Sequence, residues 1–155
     1  MINILIHILP QEIDQLEQTL IQLKKSSRYV TDENFLVEVV LNNNLTDWSK
    51  SKIDSNFFIN KLNEMEKLTK SWAKTNFWIS EKNEVLGCTD SHRLAERTYD
   101  EGAFLWLDVD IVFSETLLYN MVNSYNLIKN TEKFTILASP YAISVERNRM
   151  KSREK

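Results

Sequence analysis

Phe104-Leu105-Trp106-Leu107-Asp108-Val109-Asp110-Ile111-Val112-Phe113 carries two carboxylates into an otherwise apolar run. Such a stretch reads as a buried strand, and buried strands seldom hold acid. Residues i and i+2 of a strand point to the same side. Asp108 and Asp110 are therefore expected to aim at one point near the strand's end. Two like charges so close need a counter-charge. A divalent cation with phosphate oxygens supplies it, because hard cations prefer carboxylate oxygen.

Upstream of this run the chain alternates between two hydrophobic periods. Asn3–Leu9 is rich in Ile and Leu and stops at Pro10, as a strand does. Gln11–Lys25 places Ile13, Leu16, Leu20 and Leu23 at three- and four-residue intervals, the pattern of an amphipathic helix. Phe35–Leu41 predicts a second strand, emptying into the polar loop Asn42–Asp47. Helical spacing returns over Ser51–Lys74 with Ile53, Phe57, Phe58, Leu62, Met65, Leu68 and Trp72. Asn76–Ser80 predicts a short strand, and Asp90–Tyr99 a helix after Gly87.

Downstream, Ser114–Ile128 predicts a helix that Ser114 would cap, with Glu115 favourable at its positive end. Phe134–Ser139 predicts a last strand before Pro140. Alternating strands and helices imply an α/β domain with a mainly parallel sheet and flanking helices. Residues 1–145 are read as that domain, and Glu146–Lys155 as a charged, solvated tail. Ligands of such sheets bind beyond the carboxyl ends of the strands. The segments after the first, second and acid-bearing strands should face one crevice.

Composition narrows the chemistry. The 155 residues are 43% hydrophobic and 26% charged, as in a globular domain. A net charge of −3 offers no broad basic field for nucleic acid or an anionic membrane. Cys88 is the one cysteine, which excludes an internal disulfide and a cysteine-based zinc site, and suits a reducing cytoplasm. The apolar run Ile2–Leu9 is too short to span a membrane, and no transmembrane segment is expected. With only two glycines there is no P-loop and no dinucleotide-binding fingerprint.

An acid-x-acid triplet by itself commonly marks a solvated loop or a helix cap. An EF-hand would need glycine where Phe113 stands. A haloacid-dehalogenase-type phosphatase has acids so spaced, but on its first strand and with a lysine and further acids downstream. A Mg-dependent phosphatase is the distant third among the readings.

The order of motifs over roughly residues 2–141 resembles the nucleotide-sugar-binding half of a GT-A-fold glycosyltransferase of the family 2 kind. The features are a first strand ending at Pro10, the Thr46-Asp47 loop, Gly87, a helix with His92 and Arg93, and the acid-x-acid strand Leu105–Asp110. The resemblance implies a Rossmann-like GT-A nucleotide-diphospho-sugar transferase fold. It also implies a UDP- or GDP-type donor, Mn²⁺ or Mg²⁺ as cofactor, and a saccharide or other hydroxyl acceptor. Asp108 and Asp110 match the metal-binding motif, and Asp108 also the sugar or ribose contact. Pro10, Gln11 and Glu12 match the turn lining the nucleotide pocket. Asn42 falls near the acid that reads the base in relatives, Asp47 matches the acid of the same loop, and Arg93 falls near an arginine that touches the base.

Relatives continue well past the strand matched by Phe134–Ser139, and that region carries the acceptor site and the general base. No catalytic base is assigned here. A non-catalytic nucleotide-sugar-binding or interaction module is the alternative, with a homodimer or partner subunit covering the missing half. Other residues have plainer readings. His7 is expected to pack within the first strand, Cys88 to be structural, and Asn43 and Asn44 to be turn residues. Phe57, Phe58, Trp72, Phe77 and Trp78 are expected in the core, with Trp78 also able to stack on a ring.

Overall fold

A computed structural model describes residues 1–43, 48–49, 52–80 and 103–128. The expected helix Asp90–Tyr99, strand Phe134–Ser139 and charged tail lie outside the described residues, as do Asp47 and Arg93. Strand β1 (Ile2–Ile8) leads through a 3-10 turn (Pro10–Glu12) into helix α1 (Ile13–Ser27). Strand β2 (Phe35–Leu41), helix α2 (Ser55–Lys70) and strand β3 (Lys74–Ile79) follow. Strand β4 (Ala103–Trp106) and helix α3 (Leu117–Ile128) complete the set.

The four strands form one sheet in the order β3-β2-β1-β4, every pairing parallel. The chain is thus α/β with flanking helices, as the alternation of periods predicts. β1 pairs with β2 from Ile2↔Phe35 to Ile8↔Leu41 and with β4 from Ile2↔Ala103 to Leu5↔Trp106. Successive strands build outward from β1 to β3, and β4 then joins the other side of β1. The direction of winding reverses between β1 and β4, where parallel α/β sheets open a crevice at their carboxyl edge.

Side-chain alternation decides which face each residue serves. Ile2, Ile4, Ile6 and Ile8 share a face with Phe35, Val37, Val39 and Leu41, and all eight are buried. Against them pack Ile13, Leu16, Leu20 and Leu23 of α1, Phe58, Leu62 and Met65 of α2, and Leu117, Leu118 and Val122 of α3. On the opposite face Asn3, Leu5, Glu38 and Val40 are buried as well. Burial on both faces explains why β1 and β2 read as nearly continuous apolar runs.

Local chemistry sets the element ends. Pro10 opens the 3-10 turn, where its missing N–H costs nothing. The Glu12 carboxylate closes that turn by accepting the Leu9 N–H at 2.8 Å. Helix α2 starts at Ser55, not Ser51, because the Asp54 carboxylate caps it by accepting the Phe57 N–H at 2.9 Å. It ends at Lys70, where the Ser71 hydroxyl donates back to the Leu68 carbonyl at 2.6 Å, and β3 begins earlier than expected, at Lys74. Helix α3 starts at Leu117 rather than Ser114, whose hydroxyl pairs with that of Thr116 at 3.0 Å. The cap comes from α1 instead: the Ser26 hydroxyl accepts the Leu118 N–H at 3.0 Å.

One core assignment is corrected. Phe58 is fully buried, but its neighbour Phe57 is 56% exposed. Adjacent helical residues diverge by about 100°, so one of the two faces the sheet and the other leaves it. Trp72 and Phe77 are partly buried against the core. Among the described residues no helix is long and apolar enough to cross a membrane.

Leu20→Ala tests the α1–sheet contact, since Leu20 is wholly buried in the core. A loss of roughly 2–5 kcal/mol is expected, the range for a truncated core leucine. Urea unfolding reads it as a lower midpoint at unchanged slope. Lys61→Ala, which removes the ion pairs of α2 to Asp14 and Glu17 of α1, should cost about 1 kcal/mol or less on the same scale, because those carboxylates are partly in water.

Candidate functional site

The carboxyl ends of β1, β2 and β4 meet around His7. The β4 ladder stops at Trp106, and its last bond runs from the Leu107 N–H to the Leu5 carbonyl at 3.0 Å. Asp108 follows directly, and Val109 and Asp110 form a turn. Strand geometry therefore does not orient the acid pair, contrary to expectation. The alternation survives in burial instead: Leu107 and Val109 are buried, while Asp108 and Asp110 are exposed.

Helix α1 holds this turn in place. The Thr19 hydroxyl donates to the Val109 carbonyl at 3.2 Å, and the Gln22 amide to the Phe113 carbonyl at 3.1 Å. Ser26 caps α3, and the Tyr29 hydroxyl donates to the Glu115 carboxylate at 3.3 Å. Thr19, Gln22, Ser26 and Tyr29 recur at three- and four-residue intervals, so one stripe of α1 and its C-terminal end fastens residues 109–118.

The structure divides the candidate residues between two places. Asp108 and Asn42 belong to the surroundings of His7, which hydrogen-bonds Asn42 and feels the Asp108 charge. Asn42 is buried, and its backbone N–H extends the β1–β2 ladder to the Ile8 carbonyl at 3.1 Å. Asp110 and Gln11 line a groove of about 770 Å³ between α1 and residues 109–113. Pro10 is buried at the head of the 3-10 turn, and the Glu12 carboxylate is engaged with the Leu9 N–H of that turn.

His7 is the residue whose part in this cluster its plain reading missed. It is half-buried on the β1 face shared with Leu5 and Asn3, and its Nε2 is buried with no hydrogen-bond partner among the described residues. Burial depresses the basicity of the ring below its ordinary value. The Asn42 hydrogen bond and the Asp108 charge oppose that effect without overcoming it. An imidazole made less basic by burial thus sits at the reversal point of the sheet. The available signal was position: a histidine near the carboxyl end of the first strand of an α/β pattern.

At the other side of the sheet's carboxyl edge, Asn43 is a structural pin. Its N–H donates to the Ser80 hydroxyl at 2.9 Å, and its side-chain carbonyl accepts the Trp48 indole N–H at 3.0 Å. Trp78 spends its indole N–H on the buried Glu38 carboxylate, at 2.8 Å. No group of three or more His, Cys, Asp or Glu side chains able to hold a metal occurs among the described residues. Asp108 and Asp110 are two exposed carboxylates beyond β4, the first near His7 and the second at the groove. Mg²⁺-type sites commonly need no more from the protein, because water and substrate phosphates complete the shell.

Comparison of the chain with protein-family models, curated proteins and solved structures gave no match.

The depressed basicity of His7 has a sign that unfolding can read. Below its ordinary value near 6.5 the unfolded chain takes up a proton that the folded site resists. The stability this group contributes is complete above that pH and is lost as pH falls toward the folded-state value. The urea midpoint of the wild type should therefore drop between pH 7 and 5.5 more than that of His7→Gln. Parallel profiles would remove His7 as the cause.

Proposed function

We propose that this chain binds a nucleotide-diphosphate sugar with a divalent cation and transfers the sugar to an acceptor hydroxyl, as a GT-A-like glycosyltransferase. The observation that carries the reading is the strand order β3-β2-β1-β4, with Asp108 and Asp110 directly beyond the carboxyl end of the strand that completes the reversal. Exposed carboxylates there suit a hard cation, and the chain's negative charge leaves a metal as the natural partner for a diphosphate.

In this reading Asp108 and Asp110 hold Mn²⁺ or Mg²⁺ together with the diphosphate oxygens. The bound cation supplies stabilisation of the negative charge that grows on the departing nucleoside diphosphate. Asn42 and His7 are polar groups beside Asp108 and would border the nucleotide there. Asp47 and Arg93 are retained as donor contacts on the resemblance alone. Thr19 and Gln22 act indirectly, by fixing the turn that carries Asp110.

A second reading is a non-catalytic nucleotide-sugar-binding module. It is favoured by the same polar set, which provides groups to bind a donor but, among the described residues, no assigned acceptor for the hydroxyl proton.

Calorimetric titration of UDP and GDP with and without Mn²⁺ tests the binding claim. Asp108→Ala and Asp110→Ala should each weaken metal-dependent affinity by roughly tenfold or more, the scale of one lost charge-assisted contact. Unchanged metal-dependent affinity in both variants would sink the reading. Release of free sugar from UDP- and GDP-sugars separates the two readings: turnover supports the enzyme, and tight binding without turnover supports the module.

A further inference from the structure

The groove along α1 has a chemistry that the acid pair does not account for. Gln11, Gln15 and Gln18 line it at intervals of four and three residues, and all three are exposed. None has a hydrogen-bond partner among the described residues, whereas Gln22, further along the same row, is tied to the Phe113 carbonyl. Each free amide presents a carbonyl acceptor and two N–H donors. Helical rise sets the row from Gln11 to Gln22 at roughly 15 Å, so the donors and acceptors form a line rather than a point.

The opposite wall adds a different element. Val112 is 90% exposed at the groove, an apolar side chain facing water beside amides. The lining carries Asp14 and Asp110 but no lysine or arginine, which disfavours phosphate-bearing polymers. From Gln11 to Gln22 the lining is polar throughout, and its apolar side chains, Val109, Ile111, Val112 and Phe113, lie on the opposite wall. A neutral molecule with hydroxyls on its edges and C–H surface on its faces matches a row of amides and carboxylates facing an apolar wall on which Val112 is the most exposed group. Linear oligosaccharides have that constitution.

We infer that the groove between α1 and residues 109–113 is a binding site for a linear oligosaccharide, with Gln15 and Gln18 as its hydroxyl-reading groups and Val112 as the surface under a ring. Binding there does not depend on sugar transfer. The groove's role as acceptor site rests on the transfer reading, with Asp110 lining the groove and belonging to the acid pair.

Titration of the full chain with maltotriose, cellotriose, chitotriose and mannotriose, followed by the side-chain NH₂ signals of its glutamines, tests the inference. At least one trisaccharide should shift the Gln15 and Gln18 signals. The double variant Gln15→Ala/Gln18→Ala should weaken that ligand about tenfold, as two lost neutral hydrogen bonds predict. Both residues are exposed on a helix where alanine is favourable, so the fold is expected to survive, and an unchanged urea midpoint checks it. No trisaccharide binding, equal affinity in the double variant, or equal displacement by a glycine–serine peptide would each overturn the site. Asp108→Ala serves as the separate control: loss of nucleotide binding with trisaccharide binding retained supports two distinct sites.

Discussion

Strand β1 must satisfy both of its edges and both of its faces at once, and the other described elements answer that demand. Its hydrogen bonds go to β2 on one side and β4 on the other. Its isoleucine face is closed by the helices, and Asn3 and Leu5 are buried on the opposite face. A strand so placed has little freedom of register, because a slip of one residue would exchange isoleucines for Asn3, Leu5 and His7. That constraint fixes the height at which Ile8, Leu41 and Leu107 leave the sheet. It thereby fixes where His7, Asn42 and Asp108 meet.

Polar burial on the second face has its own logic. Glu38 lies between Leu5 and Asn76 in the register, and its carboxylate takes N–H groups from Asn76 at 3.1 Å and Trp78 at 2.8 Å. A buried carboxylate without such donors would be costly, so β3 holds β2 by side chains as well as by backbone. Among the described residues the other carboxylate oxygen is buried without a partner, as are Asn3 Oδ1 and His7 Nε2. Buried Asn3 and Glu38 and half-buried His7 on one face mark where this sheet departs from pure packing. Departures of that kind gather where a protein does more than fold.

Much of the fold was legible because apolar period and tertiary burial agree. Ile13, Leu16, Leu20 and Leu23 are all buried, and Phe35–Leu41 is a strand over its whole expected length. The ends of α2 were not legible. Ile53 and Trp72 continue the helical spacing, yet they reach the core from non-helical backbone outside the Asp54 and Ser71 caps. Strand alternation failed for the acid pair because the ladder ends two residues before Asp108. At the site, Asp108 and Asn42 could be named from position, but the groove could not. Gln15 and Gln18 read as a solvated face until Val109–Phe113 is laid across α1, which no local pattern announces.

The fastening of that segment also bears on how the molecule assembles. Thr19, Gln22 and Ser26 reach partners 90, 91 and 92 residues away along the chain. Contacts that distant close large loops, as does the pairing of β1 with β4 from Ile2 to Ala103, while α1 and the β1–β2 pair draw on much nearer sequence. The acid-bearing turn is thus joined to its scaffold by bonds that span nearly as much chain as the strand pairing beside it. Pairing β4 with β1 already closes most of that loop, so the bonds from α1 to the turn add little closure entropy once the strand is in place.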